Sequence, residues 1–396
     1  MIIKPRTRGF ICTTSHPEGC AKQVQQQIEY IKARPLSKGP KNVLVIGAST
    51  GYGLAARIAA AFGSGANTVG VYRPSQASGT RTASAGWYNS AAFEQAAQAA
   101  GLRSFSVTGD AFAKETKLKT AELISKELGQ VDLVVYSVAT ARKIDATTGQ
   151  TFNSVLKPIG DSYSNKTVNF HTGDISMVTL EPANEQEIAE TVAVMGGEDW
   201  QEWIDTLRQA DALSKNAITV AFSYIGPQLT ERIYREGTIG RAKDHLEATA
   251  KELDEQLSPE GGHAYVIVSK ALVTQSSSAI PIVPLYMSAL YKVMKEKGIH
   301  EGTIEQMHRL FAERLYIEGD IPVDTVGRIR IDDLEMREDV QAEVADIWDK
   351  LCTDNVYELT DLQGFHREFF QLFGFETEGV DYEADVDTVV EVVNVK

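Results

Sequence analysis

One short passage constrains the fold more than any other. Asn42–Ile46 (NVLVI) runs directly into Gly47-Ala48-Ser49-Thr50-Gly51-Tyr52-Gly53, and the stretch after it, Leu54 to Phe62, is rich in alanine. A short apolar run without alternation is the pattern of a parallel strand buried on both faces. Glycines spaced G-x-x-x-G-x-G let the backbone turn sharply and approach a pyrophosphate, whose charge then meets the free amides and positive dipole end of the following helix. Strand, glycine turn and helix in that order read as a dinucleotide cradle. The passage does not read as a phosphate-loop NTPase, because no Gly-Lys-Ser/Thr follows the turn.

The rhythm continues along the chain. Apolar runs at 68–72, 104–107, 131–136, 217–222 and 264–268 are separated mostly by helical patterns such as 91–100 and 114–128. This alternation predicts an α/β fold, a Rossmann-like doubly wound parallel sheet within one large domain spanning 1–396. Residues 1–40 form an N-terminal extension, in which 23–33 read as a helix with Pro35 beyond its end. Residues 141–184 are polar and glycine-dotted, so they read as hairpins and loops rather than a crossover helix. They open an insertion over 141–217 that would cover a ligand near the carboxyl ends of the strands. The acidic stretch from 320 to 396 is expected to be accessory structure.

In such a sheet the ligand-facing residues sit where strands end. The second strand ends Gly70-Val71-Tyr72-Arg73-Pro74, with no carboxylate to accept from adenosine ribose hydroxyls. Arg73, with Arg81, therefore reads as a partner for a 2′-phosphate, against the plain alternative of an arginine in solvent. Gly109-Asp110-Ala111 follows the third strand, where Asp110 either accepts from the adenine amino group or caps a turn. Ser137-Val138-Ala139 follows the fourth, where small side chains let a nicotinamide lie close to backbone. The expected cofactor is NADH or NADPH, with NADPH tolerated.

A nicotinamide reductase of this type needs a hydroxyl near the reacting carbonyl and a cation that keeps its pKa down, since free tyrosine titrates near about 10. Tyr234 and Lys243 are the candidates. Nine positions apart on an unbroken helix, at about 100° per residue, they would face opposite ways. Gly237 and Gly240 supply breaks, so the sequence predicts a short helix from 227 to 236, a turn, and a long helix from near Thr238. Tyr224, at the end of the preceding strand, is placed to offer a second hydroxyl. The plain alternatives are packed tyrosines and a solvated lysine.

Composition narrows the classes. A formal net charge of −15 over 396 residues argues against nucleic acid or an anionic membrane as partner. Cys12, Cys20 and Cys352 lack CxxC spacing, which indicates neither a disulfide framework nor a zinc site and fits a reducing cytoplasm. His16, His245 and His300 form no metal-ligand pattern such as HExxH and read as surface or core residues. The apolar stretch 280–294 reads as core first and as an acyl channel second. No apolar dimerisation helix stands out, so a monomer is expected.

Several longer motifs carry a resemblance: His16-Pro17-Glu18-Gly19-Cys20, Gly86-Trp87-Tyr88-Asn89, Gly109-Asp110-Ala111-Phe112, Met195-Gly196-Gly197-Glu198-Asp199-Trp200, the Tyr234-x8-Lys243 pair, Leu272-Val273-Thr274 and Ile329-Arg330-Ile331-Asp332-Asp333. Through nearly its whole length the chain resembles the trans-2-enoyl-CoA/acyl-carrier-protein reductases of the FabV type, relatives of the short-chain dehydrogenases with a lengthened tyrosine-lysine spacing. The resemblance implies reduction of the 2,3 double bond of an enoyl-CoA or enoyl-acyl-carrier-protein, in fatty acid biosynthesis, with acyl carrier protein as a possible partner. It implies Tyr234 as proton donor, Tyr224 at the substrate carbonyl, Lys243 at the nicotinamide ribose, and Leu272, Val273 and Thr274 beside the cofactor. Family members commonly carry an acid where this chain has Pro74, after an aromatic where it has Arg73, which again admits NADPH. Two other readings share the glycine turn: a short-chain carbonyl or alcohol dehydrogenase, and a dinucleotide sensor without catalysis.

Overall fold

The computed structural model of the chain describes residues 1–9, 11–145 and 148–396. A small hairpin, Thr7–Arg8 (β1) with Ile11–Cys12 (β2), leads into helix α1, Pro17–Lys32. The helix begins six residues before the expected one. His16 caps it, accepting the Gly19 amide on Nδ1, and Pro17 fits the first turn, where no amide partner is needed.

Seven parallel strands build the central sheet: Asn42–Ile46 (β3), Asn67–Tyr72 (β4), Ser104–Thr108 (β5) and Val131–Tyr136 (β6), then Leu213–Ser223, His263–Val268 and Ile329–Arg330. Between β6 and the fifth of these lie two antiparallel hairpins, Arg142–Ile144 (β7) with Thr151–Asn153 (β8) and Tyr163–Asn169 (β9) with Asp174–Leu180 (β10). The last three sheet strands are thus β11, β12 and β13, and the sheet order is β13-β12-β11-β6-β3-β4-β5. Strand order reverses between β3 and β6, the switch point at which such sheets open a crevice for a ligand.

Alternation along β3 sends Val43 and Val45 to one face and Leu44 and Ile46 to the other, and all four are fully buried. The first face packs on α1, on α2 (Gly51–Ile58) and on α3 (Ala85–Ala99). The second is covered by α4 (Lys114–Glu127) and α6 (Glu198–Gln209), the latter following α5 (Glu185–Met195). A short helix α7 (Gln228–Glu231) precedes α8 (Thr238–Leu257), which also lies on this second face.

A third apolar cluster surrounds α9 (Val283–Glu296), whose Met287, Leu290 and Met294 are fully buried. The 280–294 stretch therefore packs mainly as core. Beyond α10 (Thr303–Leu310), the C-terminal part adds α11 (Glu338–Lys350), α12 (Val356–Leu359) and α13 (Leu362–Gln371) to the same cluster. Among the described residues no helix is long and apolar enough to cross a membrane.

Candidate active site

The glycine turn lies at the switch point. Gly47 has φ +86°, and a Cβ there would stand 2.2 Å from the Ser137 carbonyl oxygen at the end of β6. A Cβ on Gly53 would meet the Gly47 carbonyl at 2.1 Å, so neither position accepts a larger residue without moving backbone. The Gly47 and Ala48 amides are held by the Val71 carbonyl at 2.8 and 3.1 Å. Thr50, the N-cap of α2, makes no side-chain cap bond. The first turn of α2 therefore keeps amides available to an anion, and these residues fit a dinucleotide pyrophosphate.

Opposite the turn, Thr274 approaches Gly51: a Cβ on Gly51 would lie 3.9 Å from the Thr274 methyl. Leu272 and Val273 are buried beside it. This loop is tightly held, because the Val273 amide donates to the Tyr291 hydroxyl (3.0 Å) and the Thr274 and Ser277 amides each donate to the other's side-chain oxygen (2.9 and 3.1 Å). Tyr52 spans the two walls, donating to the Lys270 carbonyl at 2.9 Å and stacking on Phe222 with centroids 5.1 Å apart. Val138 is half-buried and Ala139 exposed just beyond β6.

Beyond the ends of β4 and β5, Arg73 pairs with Asp110 at 3.0 Å, with Arg73 74% exposed. The other Asp110 oxygen accepts the Phe112 amide at 3.1 Å, so Asp110 serves as a turn cap and an ion-pair partner at once. Two residues expected to act separately are thus joined, next to Pro74. Trp203 of α6 donates to the Ala111 carbonyl at 3.1 Å and fixes the same loop.

The helix that would have separated Tyr234 from Lys243 is interrupted, as the spacing requires. α7 stops at Glu231, five residues short of the expected end at 236, so Tyr234 sits in the turns of 232–236 rather than on a helix, and Gly237 is the extended N-cap of α8. A Cβ on Gly240 would stand 1.8 Å from the Arg235 carbonyl, so the chain doubles back only because that residue is glycine. The hairpin region staples the break: the Thr238 amide donates to the Lys157 carbonyl at 3.0 Å, and its hydroxyl to the Val155 carbonyl.

Tyr234 and Tyr224 meet edge to face, their rings 4.8 Å apart. Lys243 is buried and donates to the Phe222 carbonyl at 2.8 Å. Burial brings its ammonium down to about 8, against the opposing pull of Glu247. Burial also pushes Tyr234 up to about 12. The expected lowering of the phenol by the lysine is not met, because the ammonium is directed at a backbone carbonyl and desolvation dominates at the hydroxyl.

Sequence reasoning missed a buried network behind Tyr224. Its hydroxyl and that of Tyr286 both donate to Glu335 Oε1, at 2.9 and 2.7 Å, and the Ala271 amide donates to Oε2 at 2.6 Å. Glu335 is fully buried. Lys270, also buried, donates to the Ala271 carbonyl at 3.0 Å, and desolvation takes it down to about 8. Asp332-Asp333-Leu334-Glu335 reads as a solvated acidic run, and the only signal for Lys270 was its position just ahead of Leu272.

Comparison with known proteins gives a consistent picture. Residues 81–316 match the family described as the trans-2-enoyl-CoA reductase catalytic region, and residues 2–79 match the NAD(P)H binding domain of trans-2-enoyl-CoA reductase. Residues 323–386 match an enoyl reductase FAD binding domain. The chain is 58% identical over 392 residues to a trans-2-enoyl-CoA reductase [NADH] of Ruminiclostridium cellulolyticum, covering 99% of each. It is 58% identical over 396 residues to an enoyl-[acyl-carrier-protein] reductase [NADH] of Flavobacterium johnsoniae, covering 100% of each. The crystal structure of Treponema denticola trans-2-enoyl-CoA reductase in complex with NAD is 49% identical and superposes with a TM-score of 0.96, covering 99% of this chain and 100% of that one.

The flavin named for residues 323–386 does not fit the residues present. Val344, Phe365 and Phe369 are fully buried in the apolar cluster around α9. The one strand there, β13, leads into Asp332, buried and paired with Arg330, and Asp333, paired with Arg309 and Arg314, so the arginines beside it are already engaged by carboxylates rather than free for a phosphate. Gly374 is packed against the His16 carbonyl and the Cys20 amide rather than open to a ligand.

Proposed function

The chain belongs to the trans-2-enoyl-CoA reductase family, and from that membership we propose that it reduces the 2,3 double bond of a trans-2-enoyl thioester, on CoA or acyl carrier protein, with NADH. The observation that carries the reading is the broken helix. It brings Tyr234 against Tyr224 while Lys243 reaches the end of β11, one strand from the glycine turn's own crevice.

Bound NADH supplies the hydride that adds to C3. Tyr234 then has a proton for the enolate, and Tyr224 lies beside it for the thioester oxygen, where charge develops only as the reaction proceeds. Lys243 is positioned as the donor to the nicotinamide ribose. Leu272, Val273 and Thr274 wall the cofactor opposite Gly51, Tyr52 fixes the two walls, and Ala111, Val138 and Ala139 line the strand ends. The 141–217 insertion covers the substrate side, a role supported by its bonds to Thr238. The 320–396 segment backs the site from behind.

We place the enzyme in the cytoplasm, in fatty acid biosynthesis, and as a monomer. NADPH is tolerated through Arg73, with no acid at Pro74. A matrix of NADH and NADPH against short and long enoyl-CoA and enoyl-acyl-carrier-protein substrates, followed by cofactor absorbance, tests the reading. Turnover of ketones but not of crotonyl-CoA would replace it with a carbonyl dehydrogenase, and cofactor binding without any turnover with a sensor. Light scattering in solution checks the monomer.

A further inference from the structure

Tyr224 has a single proton, and in this structure it is committed to the Glu335 carboxyl. While that bond holds, Tyr224 has nothing to donate to a thioester oxygen. We propose that Glu335 is the positioning residue that governs Tyr224: as the neutral acid it turns its own O–H to the Tyr224 oxygen and frees the phenol proton for the thioester carbonyl, and as the carboxylate it withholds that proton.

The surroundings of Glu335 support both forms. Tyr224 faces it from the end of β11, Ala271 and Lys270 from beyond β12, and Tyr286 from α9. Gln341 of α11 donates to the Tyr286 oxygen at 3.2 Å and to the Glu335 backbone carbonyl at 2.7 Å. Burial favours the neutral acid, while the Lys270 ammonium and the donors from Tyr286, Ala271 and Tyr224 favour the carboxylate; the balance lies above the ordinary glutamate range. Lys270 is itself influenced by Glu301, Glu368 and Lys295. No proton need leave either residue. Two O–H bonds in series, Glu335 to Tyr224 to the thioester oxygen, polarise together as the enolate forms.

The inference rests on the reading of Tyr224 at the thioester carbonyl, and the test separates the two. Glu335→Gln is the permanently neutral analogue: its amide oxygen accepts from Ala271 and its N–H groups face the two phenol oxygens. The kcat of the full-length enzyme with saturating NADH and crotonyl-CoA is measured for wild type and E335Q between about pH 5.5 and pH 9. Titration of Lys243 and Tyr234 is common to both proteins, so the ratio of E335Q to wild type reads position 335 together with Lys270, the ammonium that faces it. The ratio is expected to climb with pH by about tenfold or more across that range. A flat ratio overturns the proposal.

Tyr224→Phe gives an independent check that does not require E335Q to fold. It must be slowed, and it must lose the alkaline fall in kcat assigned to Glu335; a Y224F profile that keeps that limb overturns the proposal. In the Y224F background E335Q must add no further loss, whereas two additive losses would mean that Glu335 acts only through general packing. If Y224F turns over at the wild-type rate, the placement of Tyr224 fails and the inference with it. If Y224F is slow but the E335Q ratio is flat, the inference alone fails.

Discussion

Replacing Lys243 with methionine is expected to stabilise the protein while abolishing turnover. Burial brings the ammonium from 10.5 to about 8. At about 1.36 kcal/mol per unit, the folded state thus holds a charged lysine at a cost of about 3 kcal/mol. The bond to the Phe222 carbonyl offsets about 1–2 kcal/mol of what removal would gain. Methionine fills a similar volume with an apolar chain, so K243M is expected to gain about 1–2 kcal/mol at pH 7, a rise of a few degrees in Tm. The sign with pH follows from proton counting. Between about pH 8 and pH 10.5 the unfolded chain binds the lysine proton and the folded chain does not, so this residue's contribution to wild-type stability rises with pH. Below about pH 8 both states hold the proton and the full penalty is present. Urea unfolding of both proteins at pH 7 and at about pH 9.5 measures the gap, which should narrow at the higher pH. A variant less stable than wild type at pH 7, or a gap that ignores pH, refutes the reasoning. Loss of turnover beside gained stability is the trade expected when a buried charge is kept for chemistry.

Tyr234→Phe is expected to lower kcat by about 10²–10³ with NADH affinity unchanged, read by steady-state kinetics and a fluorescence titration of NADH. Gly47→Ala forces a Cβ into the Ser137 carbonyl at a positive φ and should weaken NADH binding by about tenfold or more in the same titration, through displaced backbone at the cradle. Asp110→Asn releases Arg73 from its ion pair and should raise kcat/KM for NADPH by a few fold relative to NADH, whereas Arg73→Ala should lower it; equal ratios in both variants would remove Arg73 from cofactor choice.

What was readable in the sequence was whatever local pattern determines. β3 and β6 have the expected bounds because runs buried on both faces leave no ambiguity about where the polar chain begins. The break between Tyr234 and Lys243 was readable from Gly237, which caps α8 where a helix had to fail; Gly240 lies inside α8 and gives room to the Arg235 carbonyl instead. α1 starts six residues before the expected helix, since His16 and Pro17 act as cap and first-turn residue only once their geometry is known. The Arg73–Asp110 pair was hidden for a different reason: the two residues end adjacent strands 37 positions apart, and only the register of β4 with β5 sets them side by side. Glu335 lies further still from sequence logic. Acidic neighbours make it look solvated, yet it is 111 positions from Tyr224 and 64 from Ala271 and binds both. Burying a carboxyl is unfavourable unless its oxygens are satisfied, and here the donors come from the end of β11, the loop after β12 and helix α9, so no single segment carries the signal. The same argument assigns the C-terminal segment its part in the site: it contributes not a second cofactor cradle but the one carboxyl that holds the phenol of Tyr224 and the amide of Ala271 on a common anchor.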